Sequence, residues 1–275
     1  MKKGSIGVFD SGVGGLWILK HLQEELPGYN YVFFGDQGHV PYGGRTMEEI
    51  RLFSEGITKF LISKGCNVIV IACNTASATS LKYLREKFPK VIFVGMEPAI
   101  KPAVEVTHTR KVGVLATPAT FQGELYNSVV ERFAYNVEIF KDTCSGLVGQ
   151  IEKGDLNSIE TRSILERGLL PMLKKNIDTV VLGCTHYPFV IPLIKKIVGD
   201  KVNVIDPTSA IVHQVSRVLS ENKLLNKFVV GDRKIDIFTS GEKDDIKPIL
   251  SKLFDKNIEV NKIDWNNNFE LNMLK

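Results

Sequence analysis

The 275 residues are 44% hydrophobic and 24% charged, and a formal net charge of +4 results from 35 Lys and Arg spread among 31 Asp and Glu. The cations gather into no run and the four cysteines form neither a C-x-x-C pair nor a dense array, which excludes a nucleic-acid footprint and a disulfide framework. The first apolar run stops at Asp10 and none later approaches a membrane span, so the expectation is a cytoplasmic chain with free thiols and no membrane partner.

Ser5 to Phe9 reads as a short buried strand, and helical periodicity runs from Leu16 to Leu26. Between them lies Asp10-Ser11-Gly12-Val13-Gly14-Gly15. Its glycines let backbone N–H groups approach an anion, yet the loop lacks the Lys-Ser/Thr of a nucleotide-binding loop and the G-x-G-x-x-G spacing. The glycines alone favour a tight strand-to-helix turn, whereas Asp10 and Ser11 at the strand tip favour a binding loop. The same strand-then-helix order recurs at Tyr31 to Phe34 with Met47 to Ser63, and at Val68 to Ala72 with Ala76 to Phe88. After Val91-Ile-Phe-Val-Gly95, Pro98 and Pro102 interrupt the pattern and mark a boundary.

Strands restart at Lys111 to Ala116, Val137 to Phe140, Thr179 to Leu182 and Val202 to Ile205, ahead of Asp206-Pro207. This alternation belongs to an α/β fold with parallel sheets covered by helices, and the length fits roughly two domains of about 150 residues. A weak duplication supports two similar units. Ile6-Gly-Val-Phe-Asp10-Ser11 resembles Val112-Gly-Val-Leu-Ala-Thr117, and each precedes a cysteine by a similar distance.

Those cysteines are Cys73, in Val68-Ile-Val-Ile-Ala-Cys73-Asn74-Thr75, and Cys184, in Val180-Val-Leu-Gly-Cys184-Thr185-His186-Tyr-Pro188. Each ends a buried strand and precedes residues able to cap a helix, where the helix dipole lowers a thiol pKa. Ligands of open α/β sheets bind at such strand ends. Cys66 and Cys144 lack this context and read as packing; His21, His39, His108 and His213 have no motif and read as surface or helix residues. A zinc site on Cys73, Cys184 and His186 lacks a metal-binding spacing. Thr117 and Thr120 read first as helix caps.

Together these segments resemble the glutamate racemases of the cofactor-independent aspartate/glutamate racemase superfamily, from Gly7 to about Ile263. The resemblance is carried by Phe9 to Leu16, Gly35-Asp36, Val40-Pro41-Tyr42-Gly43, Ala72 to Ala76, Gly113 to Thr117, Gly183 to Pro188 and Phe238-Thr239-Ser240-Gly241. The Asp36 to Val40 loop, Trp17 and Cys144-Ser145-Gly146, where Cys-Pro is usual, depart from the family pattern.

The resemblance implies two flavodoxin-like, doubly wound domains related by a pseudo-two-fold axis, residues 1–97 plus 207–275 and residues 98–206, with the active site in their cleft. It implies interconversion of L- and D-glutamate for peptidoglycan synthesis, without cofactor or metal, by a homodimer. Carried over by position, Cys73 and Cys184 are the two acid/base residues, with Asp10 and His186 as their polar partners and Glu152 as a further acid. Asp10, Ser11, Tyr42, Gly43, Asn74, Thr75, Thr185 and His186 are the implied substrate contacts. Two competing readings are an aspartate racemase or related superfamily enzyme, and a non-catalytic dicarboxylate-binding module. A decarboxylase of the superfamily keeps one cysteine, which the pair found here argues against.

Overall fold

A computed structural model describes residues 5–224, 234–254, 258–266 and 269–271. The first stretch runs β1 (Ser5–Asp10), α1 (Gly15–Glu25), β2 (Asn30–Gly35), α2 (Met47–Ser63), β3 (Cys66–Ile71), α3 (Asn74–Lys87), β4 (Ile92–Gly95) and α4 (Ile100–Val106). Next come β5 (Lys111–Ala116), α5 (Pro118–Gln122), α6 (Glu124–Phe133), β6 (Glu138–Asp142), α7 (Leu147–Glu152), α8 (Ile159–Leu173), β7 (Thr179–Gly183), α9 (Ile191–Val198) and β8 (Asn203–Ile205). The chain then returns with α10 (Thr208–Glu221), β9 (Ile235–Thr239), α11 (Lys243–Leu253) and β10 (Val260–Lys262).

The strands form two sheets, ordered β10-β9-β2-β1-β3-β4 and β6-β5-β7-β8, in which every pairing is parallel. The run β2-β1-β3-β4 of the first sheet has the same winding as β6-β5-β7-β8, so β1 answers to β5 and β3 to β7. Cys73 follows β3 and Cys184 follows β7. The faint repeat in the sequence is thus a repeat of topology, and the two thiols occupy equivalent places in it.

Both faces of each sheet are covered. In the first, Val8, Phe33, Val70 and Ile237 pack toward Leu16, Leu19, Val215 and Ile249, while Phe9, Phe34, Ile69 and Ile71 pack toward Ile50, Ile57 and Leu84. The period of two along each strand alternates these faces, and full burial of each such side chain contributes about 1.5–3 kcal/mol. The second sheet does the same, with Leu115, Val180 and Leu182 on one face and Val112, Val114 and Val181 on the other. Strands β9 and β10 lie outside the strand pattern read from the sequence. β10 is three residues long and includes Asn261 and Lys262, too short and polar for periodicity to show.

After β4 the chain passes Pro98 into α4, whose Ile100 and Ala103 pack with Val112 and Val114. Trp17 ties the halves together from α1: its indole N–H donates to Asp206 at 3.1 Å and its ring meets Phe189 edge-on.

One acidic residue on the α2–α3 face sets an acid-stability prediction. Glu55 accepts bonds from Tyr83 at 2.5 Å, Lys87 at 2.6 Å and Lys59 at 2.9 Å. Burial pushes its carboxyl up, but the bonds to Lys87, Tyr83 and Lys59 outweigh it and bring the pKa down to about 2. A depressed folded-state pKa adds stability above the ordinary value of 4.5, lost as the pH falls toward 2. Glu55→Gln should therefore flatten the acid branch of the stability curve between those pH values, as read by urea unfolding at each pH. An unchanged slope would refute the assignment.

Candidate active site

Parallel strands deliver their carboxyl ends to one edge, and here the ends of both sheets meet. On the first sheet Asp10 ends β1, Asp36 follows β2, Cys73 follows β3 and Thr239 ends β9; on the second, Thr117 follows β5 and Cys184 follows β7. Between them is a narrow chamber. Its wall comprises Ser11, Tyr42, Gly43, Cys73, Asn74 and Thr75 from one side and Thr117, Val148, Cys184, Thr185 and His186 from the other, with Pro41 at the loop. Among the described residues no Lys or Arg is part of it.

The two thiols are set differently. Cys73 caps α3, its sulfur accepting from the Ala76 N–H at 3.4 Å, and it lies 3.6 Å from the Ser11 hydroxyl. Burial, and after it the charge of Asp10, pushes the Cys73 pKa up to about 12 despite the Ala76 and Ser11 bonds. The expectation that a helix N-terminus lowers this pKa fails, because desolvation of a thiolate outweighs one terminal N–H. Cys184 is not at an α-helix start at all: a 3₁₀ turn over Tyr187–Val190 intervenes before α9. Its sulfur lies 3.8 Å from Nδ1 of His186.

His186 is almost fully buried, and its Nε2 meets Oε1 of Glu152 at 2.5 Å. Burial works against the imidazolium, but the contacts with Cys184 and Glu152 prevail and hold its pKa well above the ordinary 6.5. Glu152 is correspondingly held below the usual carboxylate range: burial opposes this, while His186, the Val13 N–H at 2.8 Å and the Gln37 side chain favour the anion. The glycine loop after β1 therefore does hold an anion, but one belonging to the protein. Gly12 and Gly14 are needed for close approach, since a Cβ on Gly12 would stand 1.9 Å from Oε1 of Glu152 and one on Gly14 2.7 Å from Nδ1 of His186.

Asp10, implied as both a partner of Cys73 and a substrate contact, stands behind the chamber wall. It is fully buried, accepts from the Gly12 N–H at 3.1 Å and from the Thr185 hydroxyl at 3.1 Å, and burial raises its pKa against the pull of His186. Glu152 is likewise behind His186. Tyr42 lines the chamber, but its hydroxyl is committed to Asp36 at 2.6 Å, leaving its backbone and ring. Asp36 also accepts from Ser240 and Trp265 and contacts His39, which stacks on Phe53. His39 is thus a half-buried loop anchor, neither the surface nor the helix residue expected.

Thr117 does cap α5, and it also reaches across to Thr75 at 2.8 Å and to Thr120 at 2.9 Å. The wall residue Asn74 is 3% exposed, and both its amide nitrogen and its amide oxygen lack a partner in the protein. A buried amide left unpaired costs about 1–3 kcal/mol, so this one calls for a ligand. Val148 escaped the sequence reading. The signal was available: it precedes Glu152 by four residues on α7, so both lie on one helix face. Among the described residues no group of three His, Cys, Asp or Glu side chains is disposed to hold a metal ion.

The sequence profile of the Asp/Glu/Hydantoin racemase family matches residues 18–215. Glutamate racemase of Pseudomonas paraeruginosa is 42% identical over 259 residues, covering 94% of this chain and 97% of that protein. A glutamate racemase isoform of Bacillus anthracis superposes with a TM-score of 0.83 at 30% identity, covering 96% of this chain and 98% of that one. The Francisella tularensis glutamate racemase in complex with D-glutamate gives 0.82 at 31%, covering 94% and 97%. Sequence and fold agree over nearly the whole length, and the chain belongs to the glutamate racemases of the Asp/Glu racemase family.

Proposed function

We propose that this protein interconverts L- and D-glutamate by a two-base mechanism that needs no cofactor, and so supplies D-glutamate for peptidoglycan. The observation that carries the reading is the chamber itself: thiols from topologically equivalent strand ends of two sheets face it, beside the unpaired Asn74 amide. A planar carbanion reprotonated from the face it was deprotonated on returns the starting isomer, so inversion requires a proton donor on the far side.

Cys184, beside the His186 imidazolium, takes the α-proton of the L isomer as the thiolate. Cys73, kept as a thiol by burial, delivers a proton to the opposite face, and the roles exchange for the D isomer. Asp10 and Glu152 act one contact further back, the first on Cys73 and Thr185, the second on His186. Substrate carboxylates are held by neutral donors: the Asn74 amide, the hydroxyls of Ser11 and Thr75, and the backbone N–H groups of Gly43, Asn74, Thr75 and Thr185. With no Lys or Arg among the described wall residues, the ground state is not overstabilised by a fixed cation, and oriented dipoles favour the charge that develops in the transition state. The division into residues 1–97 with 207–275 and 98–206 is supported by strand membership, β1–β4, β9 and β10 against β5–β8. Family membership supports a homodimer acting in the cytoplasm.

Incubation with L-glutamate in D2O, without added pyridoxal phosphate, flavin or metal, should yield D-glutamate carrying deuterium at Cα. Exchange on aspartate in place of glutamate would favour the aspartate racemase reading. Exchange on neither would leave only a dicarboxylate-binding module.

A further inference from the structure

The Phe238-Thr239-Ser240-Gly241 segment and the unusual loop after β2 meet at one side chain. Gln37 is half-buried; its Nε2 donates to Oε2 of Glu152 at 3.1 Å, and its Oε1 accepts from the Thr239 hydroxyl at 2.9 Å. Amide orientation is not free here. The Glu152 carboxylate only accepts and so takes the Gln37 nitrogen, which leaves the Gln37 oxygen to the Thr239 hydroxyl; Oγ1 of Thr239 in turn accepts from the Gly241 N–H at 3.0 Å. Gly241 makes room for this, because a Cβ there would stand 2.7 Å from Cβ of Gln37.

The result is a hydrogen-bonded chain across the cleft. It runs from the loop after β9 through Thr239 and Gln37 to Glu152, on through His186, and ends at the Cys184 sulfur. Glu152 is the acceptor on which it converges, since the Val13 N–H also donates to Oε1. An ionised Glu152 accepts from Nε2–H of His186, which turns Nδ1 toward Cys184.

We propose that Gln37 is a positioning residue for the Cys184 half of the reaction: its amide holds the Glu152 carboxylate, and through it the His186 ring, in register with the Cys184 sulfur. The proposal rests on the two-thiol reading given above. Among the described residues no hydrogen-bonded chain from Gln37 leads to the Cys73 sulfur, whose hydrogen-bond contacts are Ser11 and Ala76. The effect of losing Gln37 must therefore fall on one thiol.

Gln37→Met keeps the length of the side chain and removes both bonds, and Thr239→Val removes the hydroxyl that links the amide oxygen to the Gly241 N–H. In the full chain, with folding checked by thermal melting, both variants should lower kcat, Gln37→Met by about tenfold, with KM altered less. The primary isotope effect on kcat/KM with Cα-deuterated substrate should rise for the isomer whose proton Cys184 removes and not for its mirror image. Iodoacetamide labelling read by mass spectrometry reports the same contrast without turnover: alkylation should slow at Cys184, by about threefold or more, and hold steady at Cys73.

Isotope effects rising equally for both isomers, or labelling that changes at both cysteines or neither, would overturn the proposal. A native protein inert toward glutamate whose Gln37→Met variant still slowed labelling at Cys184 alone would overturn the racemase reading and sustain the positioning role.

Discussion

Cys73→Ala and Cys184→Ala are each expected to lower kcat for glutamate racemisation by roughly 10²–10⁴-fold or more, the range for loss of a positioned acid or base. Neither replacement removes a structural bond of consequence. Cys73 offers α3 only a weak sulfur cap, and Cys184 is a small side chain at a chamber wall, so both variants should fold with near-native melting curves. Inversion requires both faces of the carbanion to be served, which is why either loss alone suffices. The variants should nonetheless differ: each retains one base, so each should still exchange the α-hydrogen of a single isomer with solvent at a slow rate. Measuring exchange by NMR with L- and D-glutamate separately gives the assignment. Near-normal racemisation by either variant would remove that cysteine from the mechanism.

His186→Leu should have the second large effect, on stability as well as rate. His186 and Glu152 are a buried pair, and breaking such a pair from one side costs about 3–5 kcal/mol. The lower end applies here because Glu152 keeps the Val13 N–H and Gln37 as donors. The His186 pKa is raised on folding, so its contribution is complete below about 6.5 and is lost only as the pH climbs through the elevated folded value. The Glu152 pKa is lowered, so its contribution is present above 4.5 and is lost as the pH falls through its folded value. Together they give a plateau between about pH 4.5 and 6.5, above which the His186 contribution begins to decline. Pairing His186→Leu with Glu152→Gln removes the stranded charge and should recover part of the loss, a coupling that urea unfolding at pH 7 can measure. Full additivity would show that the two side chains do not act as a pair. The rate should fall in all three variants, since the imidazole beside the Cys184 sulfur is gone or displaced.

Local pattern was legible because it is local. Buried parallel strands must be apolar on both faces, and the loops that follow them must change abruptly to glycine, hydroxyl and carboxylate residues; those steps mark Asp10, Cys73, Thr117 and Cys184 in the sequence. The paired contexts of the two cysteines, read with the loop motifs, were enough to name the family. Less could be seen wherever a role depends on what arrives from far along the chain. Gln37 stands 115 residues from Glu152 and 202 from Thr239, and no periodicity connects them. The C-terminal strands escaped for a related reason, because β10 finds its place by pairing with β9 and not by its own composition.

Electrostatic states also waited for the tertiary structure. From sequence, both thiols stood at helix starts and promised depressed pKa values; packing buried Cys73 beside Asp10 and placed a 3₁₀ turn after Cys184, so desolvation governs the first and an imidazolium neighbours the second. Residue type and spacing determined which groups reach the cleft and which chemistry they bring. Which of them touch the chamber, which stand behind it, and what charge each carries followed only from the meeting of the two sheets, because burial and long-range partners, the quantities that set a proton's free energy, are properties of the folded whole.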